Sequence, residues 1–350
     1  ESASETHDSG APHDAGREGG SEHDDAAFDL DALALCRGAE SALLLGPLLG
    51  GVADTSIKVW VKTQDAGAAI VRFWTRDGAI RETWTPKPQM EDDFTTVAVL
   101  TELQPGSAYR YEILSPDRAC LLGTGEFRTL PAEGAEARIR FAAAADVLDD
   151  DVPGFRDIMQ TKPDFVLMLG DNIYADGSIN TIETYRVRYE HVWGGGDFRA
   201  LFASVPAFMM WDDHELVDNY WDGKNDEVYA FGRRLYESYQ GSHNPDPLRA
   251  GELYYSFHAG QVGFFVLDTR THRSNNADLD GPDKSMLGAE QKAALFDWLD
   301  KDPSQVHAIV SSVLMHRATT TGDDSWQSFA TERAEILDAV SRSSAENVIV

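Results

Sequence analysis

Three apolar runs that end in acidic residues constrain the fold of this chain more than any other feature. The runs end at Asp146, at Asp171 and at the pair Asp213-His214. The second is a nearly continuous apolar stretch, which is typical of a strand buried on both faces of a sheet. Ligands of open α/β sheets bind outside the carboxyl ends of the strands. We therefore expect these acidic side chains to meet at one edge of a sheet.

Carboxylates gathered in one place repel one another and need a cation between them. Oxygen ligands of this kind favour hard cations such as calcium, magnesium, manganese or ferric iron. Asp171 could bridge two metals through its two oxygens, and Tyr174, three residues later, could return its phenolate to one of them. Tyr174 could equally be a core tyrosine that packs against the following loop.

The second part of the chain alternates strands with helices, which is typical of a layered α/β domain. Apolar strands precede each of the acidic positions, and helical patterns separate them. The predicted helices lie near 153–161, 183–193, 227–240, 288–299 and 326–341, and the predicted strands at 165–169, 207–210, 252–258, 262–268, 307–314 and 347–350.

The first part of the chain, from about residue 43 to 130, alternates apolar and polar residues. Short turns separate these runs, which predicts an antiparallel β-sandwich. The stretch Leu103–Tyr109 resembles the fibronectin-type turn before a corner tyrosine. No cluster of chemical groups lies in this part, so we expect a structural or positioning role. The predicted organisation is a disordered acidic tail over 1–27, an Ig/fibronectin-like sandwich over 28–132 and the α/β domain over 133–350.

The net charge of −29 comes from 59 acidic and 30 basic residues. Such a surface repels nucleic-acid backbones and anionic membranes, so neither is an expected partner. An anionic phosphate substrate would need a local positive centre such as a metal cluster. We find no apolar run long enough for a membrane span and no signal peptide, so an exported protein would be a mature form. The oligomeric state is not indicated.

The two cysteines, Cys36 and Cys120, allow two interpretations. In an oxidising compartment they could form a disulfide that ties the N-terminal lead-in to the sandwich. They could also be two free buried thiols.

Several motifs occur in the order seen in the alkaline phosphatase D family of calcineurin-like metallophosphoesterases, which the chain resembles over roughly residues 45–350. The Asp-Asp-His-Glu block and the Leu-Asp-Thr-Arg block together are a specific signal of this family. The motifs are Gly170-Asp171-Asn172-Ile173-Tyr174, Trp211-Asp212-Asp213-His214-Glu215, Leu267-Asp268-Thr269-Arg270, Leu287-Gly288-Ala289-Glu290-Gln291, and Trp326 followed by Glu332-Arg333 and Ile336-Leu337.

The resemblance implies a site with two or more metals, ferric iron and calcium in the best-matching relatives. By that resemblance Asp146, Asp171 and Tyr174 would bind the first metal. Asp171, Asp213 and Asn219 would bind the second and third, and Asn219 would also contact substrate. A metal-bound hydroxide would attack the phosphorus of a monoester or diester in line.

The resemblance also assigns roles to two basic residues. His214 would neutralise or protonate the leaving oxygen, although a histidine after a strand is often only support for a neighbouring ligand. Arg270 would either hold the phosphate or brace its loop. An extracellular, cell-surface or periplasmic location is expected chiefly from the family.

The chain departs from the family pattern at two places. Several relatives have a cysteine where this chain has Asp146, which replaces a soft thiolate by a hard carboxylate. The family also has a Gly-Asp-x-His motif after the strand that corresponds to 347–350, and we expect that the domain is truncated before this motif. His316 lies where many metallophosphoesterases have a ligand histidine.

Two alternative functions remain. A purple-acid-phosphatase-like enzyme shares the front domain and the Gly-Asp-x-x-Tyr pattern, but that family has Gly-Asn-His where this chain has Asp212-Asp213-His214. A non-catalytic surface or scaffold protein could retain the fold and lose the chemistry. Substrate specificity would come from the segments 175–200, 217–230 and 271–286. Aromatic residues in or beside them could stack on a leaving group or simply pack: Trp193, Tyr220, Trp221 and Tyr229.

Overall fold

The first seven strands form the β-sandwich predicted from the alternating pattern. The computed structural model describes residues 43–65, 67–150, 152–315, 324–345 and 347–350. One sheet of the sandwich has the order β5-β2-β1 and the other β4-β3-β6-β7. The strands are β1 Leu45–Gly50, β2 Ile57–Lys62, β3 Ile70–Trp74, β4 Arg81–Trp84, β5 Thr95–Leu100, β6 Ala108–Leu114 and β7 Leu121–Arg128.

The corner tyrosine predicted from the sequence is present. The hydroxyl oxygen of Tyr109 accepts a hydrogen bond from the backbone N–H of Gln104 over 2.9 Å. This bond closes the turn before β6 in the way that a corner tyrosine does in fibronectin-type sandwiches. Cys120, just before β7, is disulfide-bonded. Cys36, the predicted tail over 1–27 and His316 lie outside the described residues.

The strand β2 faces two cores and thereby joins the sandwich to the α/β domain. Val59 and Val61 point into the sandwich core, whereas Trp60 between them packs in a second core with Trp193. The indole N–H of Trp60 donates to the carbonyl of Ser238 over 2.9 Å. The sandwich is therefore packed directly against the helices of the α/β domain.

A shared sheet makes the same connection through the backbone. Strand β1 pairs in parallel with β10 (Ala207–Met210), so the sheet of the sandwich continues through β10 into β9 (Phe165–Leu169) and β8 (Phe141–Ala144). The full order is β5-β2-β1-β10-β9-β8. A second sheet, β11-β12-β13-β14, lies beside it. Its strands are Tyr255–Ala259, Val262–Val266, Val306–Val310 and Val348–Ile349.

Helices cover the outer faces of the two sheets, as the alternating pattern predicts. Phenylalanines fill the space between the sheets, and Phe208 stacks on Phe257 with ring centroids 3.6 Å apart. The opposite face of β9 and β10 packs with α1 to α4, while α5 and α6 pack with the second sheet. The helices are α1 Pro153–Thr161, α2 Ile182–Gly194, α3 Gly196–Phe202, α4 Asp226–Tyr239, α5 Gly288–Lys301 and α6 Ala330–Arg342.

Two details differ from the sequence interpretation. The segment 175–200, expected to shape substrate specificity, contains the unpredicted helix α3 (Gly196–Phe202) in addition to the helix predicted near 183–193, which is α2. The predicted helix over 326–341 begins as a 3₁₀ turn over Trp326–Phe329 before α6. Among the described residues, no helix combines the length and the hydropathy that a membrane crossing needs.

Candidate metal centre

The three predicted acidic positions lie at one edge of the extended sheet. Strand β9 pairs in parallel with β8 on one side and with β10 on the other. Asp146, Asp171 and Asp213 follow these strands by two or three residues. Because parallel strands end at the same edge, the three carboxylates come from neighbouring strand ends. This is the arrangement that the sequence predicts.

Three of the predicted ligands have a left-handed backbone. The φ angles are 59° at Asp146, 51° at Asp171 and 53° at Asn219. Aspartate and asparagine tolerate this conformation better than most residues, and such strained positions cluster at functional sites. The sequence alone does not reveal these angles.

Direct contacts connect the predicted ligands. The Tyr174 hydroxyl donates to Oδ1 of Asp146 over 2.7 Å, and the Tyr174 ring stacks on the His214 ring with centroids 4.1 Å apart. The backbone N–H of His214 donates to Oδ1 of Asp171 over 3.1 Å. The backbone N–H of Asn219 donates to Oδ2 of Asp213. The residues predicted at separate places in the sequence therefore form one cluster.

The electrostatics of this cluster fit a bound cation. One ligand atom from each of Asp171, Asp213 and His214 lies within 4.8 Å of the others. Burial and the nearby carboxylates raise the pKa of Asp171 to about 8, and burial also raises the pKa of Asp213. Ionised carboxylates are thus unfavourable here in the metal-free protein, and a cation would reverse that. The donor set of carboxylate, phenol and amide groups suits hard metal ions.

His214 has a partner that the sequence interpretation missed. Its Nδ1 atom lies 2.7 Å from Oδ1 of Asp176, and Oδ2 of Asp176 accepts from the backbone N–H of Asp218. Burial opposes the charged imidazole, but the bond to Asp176 and the negative charge of Asp171 outweigh it and raise the pKa of His214 to about 9. Asp176 follows the Gly-Asp-x-x-Tyr motif by two residues, and that proximity was the only signal for it.

Arg270 lies behind the cluster rather than on its surface. Its guanidinium is fully buried, donates to Asp212 Oδ1 over 2.6 Å and to Asp213 Oδ1 over 3.2 Å, and forms an ion pair with Asp324. Burial opposes its charge, yet the three carboxylates raise its pKa above the ordinary value. Asp212, Asp213 and Asp324 are close enough to share a metal, but Arg270 already neutralises this group.

The aromatic residues considered for substrate stacking divide into two pairs. Trp193 and Tyr220 are each only 1 % exposed and belong to the core, so of the two roles left open for them packing is the one they have. Trp221 and Tyr229 are half-buried. Tyr229 stacks on Tyr220 with ring centroids 5.6 Å apart.

Comparisons with known proteins agree with this geometry. The family model described as PhoD-like phosphatase matches residues 145–350. A model described as a domain of unknown function matches residues 40–126. Alkaline phosphatase D of Bacillus subtilis (strain 168) is 26 % identical over 297 residues, which is 71 % of this chain and 51 % of that protein. Purple acid phosphatase 13 of Arabidopsis thaliana is 27 % identical over 208 residues, which is 51 % of this chain and 36 % of that protein. The chain thus spans about half the length, or less, of these curated relatives.

Solved structures show the same fold. The structure of PhoD superposes with a TM-score of 0.79 and 21 % identity, covering 89 % of this chain and 72 % of that chain. The purple acid phosphatase PPD1 from yellow lupin (Lupinus luteus) seeds superposes with a TM-score of 0.59 and 16 % identity, covering 80 % of this chain and 52 % of that chain. The predicted fold class, a layered α/β domain preceded by a β-sandwich, is confirmed.

Proposed function

The chain belongs to the PhoD-like phosphatase family, and from its site we propose that it is a metal-dependent phosphoesterase that hydrolyses phosphate monoesters, phosphodiesters or both. The observation that carries the proposal is that the carboxylates of Asp171 and Asp213 meet at the strand ends within reach of one metal, with the imidazole of His214 beside them. Buried carboxylates with raised pKa values at a strand edge are a common feature of metal and catalytic sites.

Two or more metal ions, proposed as ferric iron and calcium, would be held by the clustered residues. Asp146, Asp171 and Tyr174 would hold one ion, and Asp171, Asp213 and Asn219 the others. Such ions lower the pKa of water and stabilise the charge that develops on phosphate oxygens. The bond between Tyr174 and Asp146 supports this assignment, because it brings both side chains to one place in the metal-free protein.

His214 is proposed to donate the proton that the leaving oxygen needs. In the metal-free protein its pKa, raised to about 9, keeps the imidazole protonated at neutral pH. The bond to Asp176 and the stack on Tyr174 fix the plane of the ring. A positioned acid with a pKa near the working pH is effective in this role. Asn219 is proposed to contact the substrate as well as a metal.

Arg270 is proposed to brace the site and not to bind phosphate. Its buried guanidinium is already bonded to three carboxylates, of which Asp213 is a proposed metal ligand. Neutralising these charges holds Asp213 in place. This favours the bracing alternative over direct contact with the substrate.

The two alternative functions receive less support. The purple acid phosphatases are similar in sequence and fold, but this chain has Asp212-Asp213-His214 where a purple acid phosphatase would be expected to have Gly-Asn-His. A scaffold protein without catalysis would be expected to have lost some of the clustered residues. This chain retains all six of them: Asp146, Asp171, Tyr174, Asp213, His214 and Asn219. An extracellular, cell-surface or periplasmic location is proposed, and the disulfide at Cys120 supports an oxidising compartment.

The test is hydrolysis of p-nitrophenyl phosphate and of its bis-ester by the purified protein, before and after treatment with a chelator. We expect turnover that the chelator abolishes and that added metal restores. The variant Asp213→Asn should lose it. Turnover that survives both the chelator and Asp213→Asn would contradict the proposal, and the preferred ester would identify the substrate class.

A further inference from the structure

A buried glutamate directly beside the candidate metal centre bonds to both of the loops that carry its ligands. Oε2 of Glu215 accepts from the backbone N–H groups of Asp171, over 3.1 Å, and Asp212, over 3.0 Å. Oε1 accepts from the backbone N–H of Asn172 over 2.8 Å and from the side chain of Gln240 over 3.1 Å. One carboxylate therefore joins the loop after β9 to the loop after β10.

The chemistry of these contacts specifies a carboxylate. All four partners are hydrogen-bond donors, and a carboxylate is a pure acceptor. Glutamine at this position would place an amide N–H₂ group against two of the donors. The side chain is 1 % exposed, and a buried charge persists only where its hydrogen bonds are made. The acidic residue is thus matched to the loops it joins.

The two loops also approach each other unusually closely. Gly170, at φ 95°, precedes Asp171, and a Cβ atom on it would lie 2.6 Å from Cβ of Asp212. Glycine allows this approach, and the three hydrogen bonds from backbone N–H groups to Glu215 hold the loop after β9 and the loop after β10 at a fixed separation. The spacing between Asp171 and Asp213 depends on that separation. Glu215 accepts from the backbone N–H of Asp171 itself and from that of Asp212, which directly precedes Asp213.

Neighbouring polar groups hold Glu215 itself in place. The Gln240 amide donates to Tyr189 on α2 over 3.0 Å and accepts from the Asn172 side chain over 2.7 Å. This network ties the carboxylate to α2 and to the end of α4. Glu215 is therefore anchored to the helical layer through Gln240 as well as to the two loops that it joins.

We propose that Glu215 is a positioning residue, whose carboxylate sets the separation of the metal ligands Asp171 and Asp213. The proposal rests on the proposed metal-dependent function. Groups that orient metal ligands in this way typically change metal affinity about 10–100-fold when they are replaced.

A second buried glutamate offers a matched control. Glu332 is also 1 % exposed, and its carboxylate accepts from the backbone N–H of Met286 and from the hydroxyl of Ser285. None of its bonded partners is a proposed metal ligand. Glu332→Gln should therefore lower stability in the same way as Glu215→Gln without changing the metal centre.

The experiment is calorimetric titration of the metal-depleted protein with manganese(II) chloride and calcium chloride, with amide hydrogen exchange of the same samples. We expect Glu215→Gln to weaken binding about 10–100-fold and to speed exchange at the amides of Asp171, Asn172 and Asp212. We expect Glu332→Gln to bind metal like the wild type. If Glu215→Gln does not fold, Gln240→Met, which removes one partner of the carboxylate, should weaken binding several-fold.

The outcomes separate this proposal from the function on which it rests. Wild-type affinity in Glu215→Gln or in a folded Gln240→Met, or an equal loss of affinity in Glu332→Gln, would overturn the positioning role alone. A wild-type protein that binds neither metal would overturn the proposed function, and the positioning role with it.

Discussion

The Nδ1 atom of His214 lies 2.7 Å from Oδ1 of Asp176, and this contact fixes the imidazole above the ring of Tyr174. The second oxygen of Asp176 is held by the backbone of Asp218, so the carboxylate cannot turn freely. The pair places a charged imidazole beside Asp171 and Asp213. Much of the proposed chemistry therefore depends on a residue outside the recognised motifs.

Replacing Asp176 by asparagine should lower kcat about 10–100-fold, because an orienting partner of a proposed acid is lost. The pKa of His214, raised to about 9 partly by Asp176, should also fall. The imidazole would then lose its proton at a lower pH, so the alkaline limb of the pH–kcat profile should move to lower pH. The measurement is that profile with p-nitrophenyl phosphate.

A similar pair elsewhere provides the control for this substitution. His191 and Asp149 are also 2.7 Å apart, but both are exposed. Asp149→Asn should leave kcat and the pH profile unchanged. An Asp176→Asn variant with the wild-type profile would show that the contact does not serve the reaction.

Metal binding should become tighter as the pH rises towards about 8. The pKa of Asp171 is raised to about 8 in the metal-free protein, so a metal must displace a proton at lower pH. Below that value, affinity should fall about tenfold per pH unit for each proton displaced. The check is calorimetric titration at pH 6, 7 and 8, and a flat dependence would mean that Asp171 is not a ligand.

The same shift predicts how the metal-free protein responds to pH. A carboxyl whose pKa is raised on folding binds a proton more readily in the folded state, so stability falls as the pH rises from about 4 to about 8. Asp171→Asn should remove this loss. In thermal unfolding without metal, the stability of the variant relative to the wild type should therefore increase as the pH rises. The variant should also bind metal more weakly. A constant difference between the two would contradict this account.

The sequence predicted which strand-end residues come together but not the groups that contact them. Asp171 and Asp213 were predictable because apolar strands end directly before them, and parallel strands share an edge. The contacts of Asp176 and Glu215 were not, because they depend on loop conformations and on positive φ angles that no periodicity encodes. The two roles left open for Arg270 could be weighed only from the burial of its guanidinium.

Gly170→Ala should destabilise the protein more than Gly251→Ala, which introduces backbone strain but no steric overlap. Both Gly170, at φ 95°, and Gly251, at φ 86°, are left-handed. A Cβ atom at Gly170 would lie 2.8 Å from the backbone nitrogen of Asp212, whereas one at Gly251 has no described neighbour within 4 Å. Gly170→Ala should therefore lose about 1–3 kcal/mol more than Gly251→Ala. Chemical denaturation measures both, and equal losses would argue against the close approach.

Arg270→Gln should lower the free energy of unfolding by about 3–5 kcal/mol, because Asp212 and Asp213 lose the buried cation that neutralises them, whereas Asp324 keeps its ion pair with Arg273. The partly exposed ion pair between Arg72 and Glu82 provides a comparison, and Arg72→Gln should change stability by about 1 kcal/mol or less. An Arg270→Gln variant with wild-type stability and a raised KM would instead favour contact with the phosphate.

The central claim is that the strand-end residues form a metal centre, and the most direct test is the metal stoichiometry of the metal-depleted protein. Titration with ferric iron and with calcium, followed by elemental analysis after gel filtration, should give saturable binding of two or more ions. The same titration of Asp213→Asn should lose at least one of them. Binding that is absent in the wild type, or identical in the two proteins, would contradict the account.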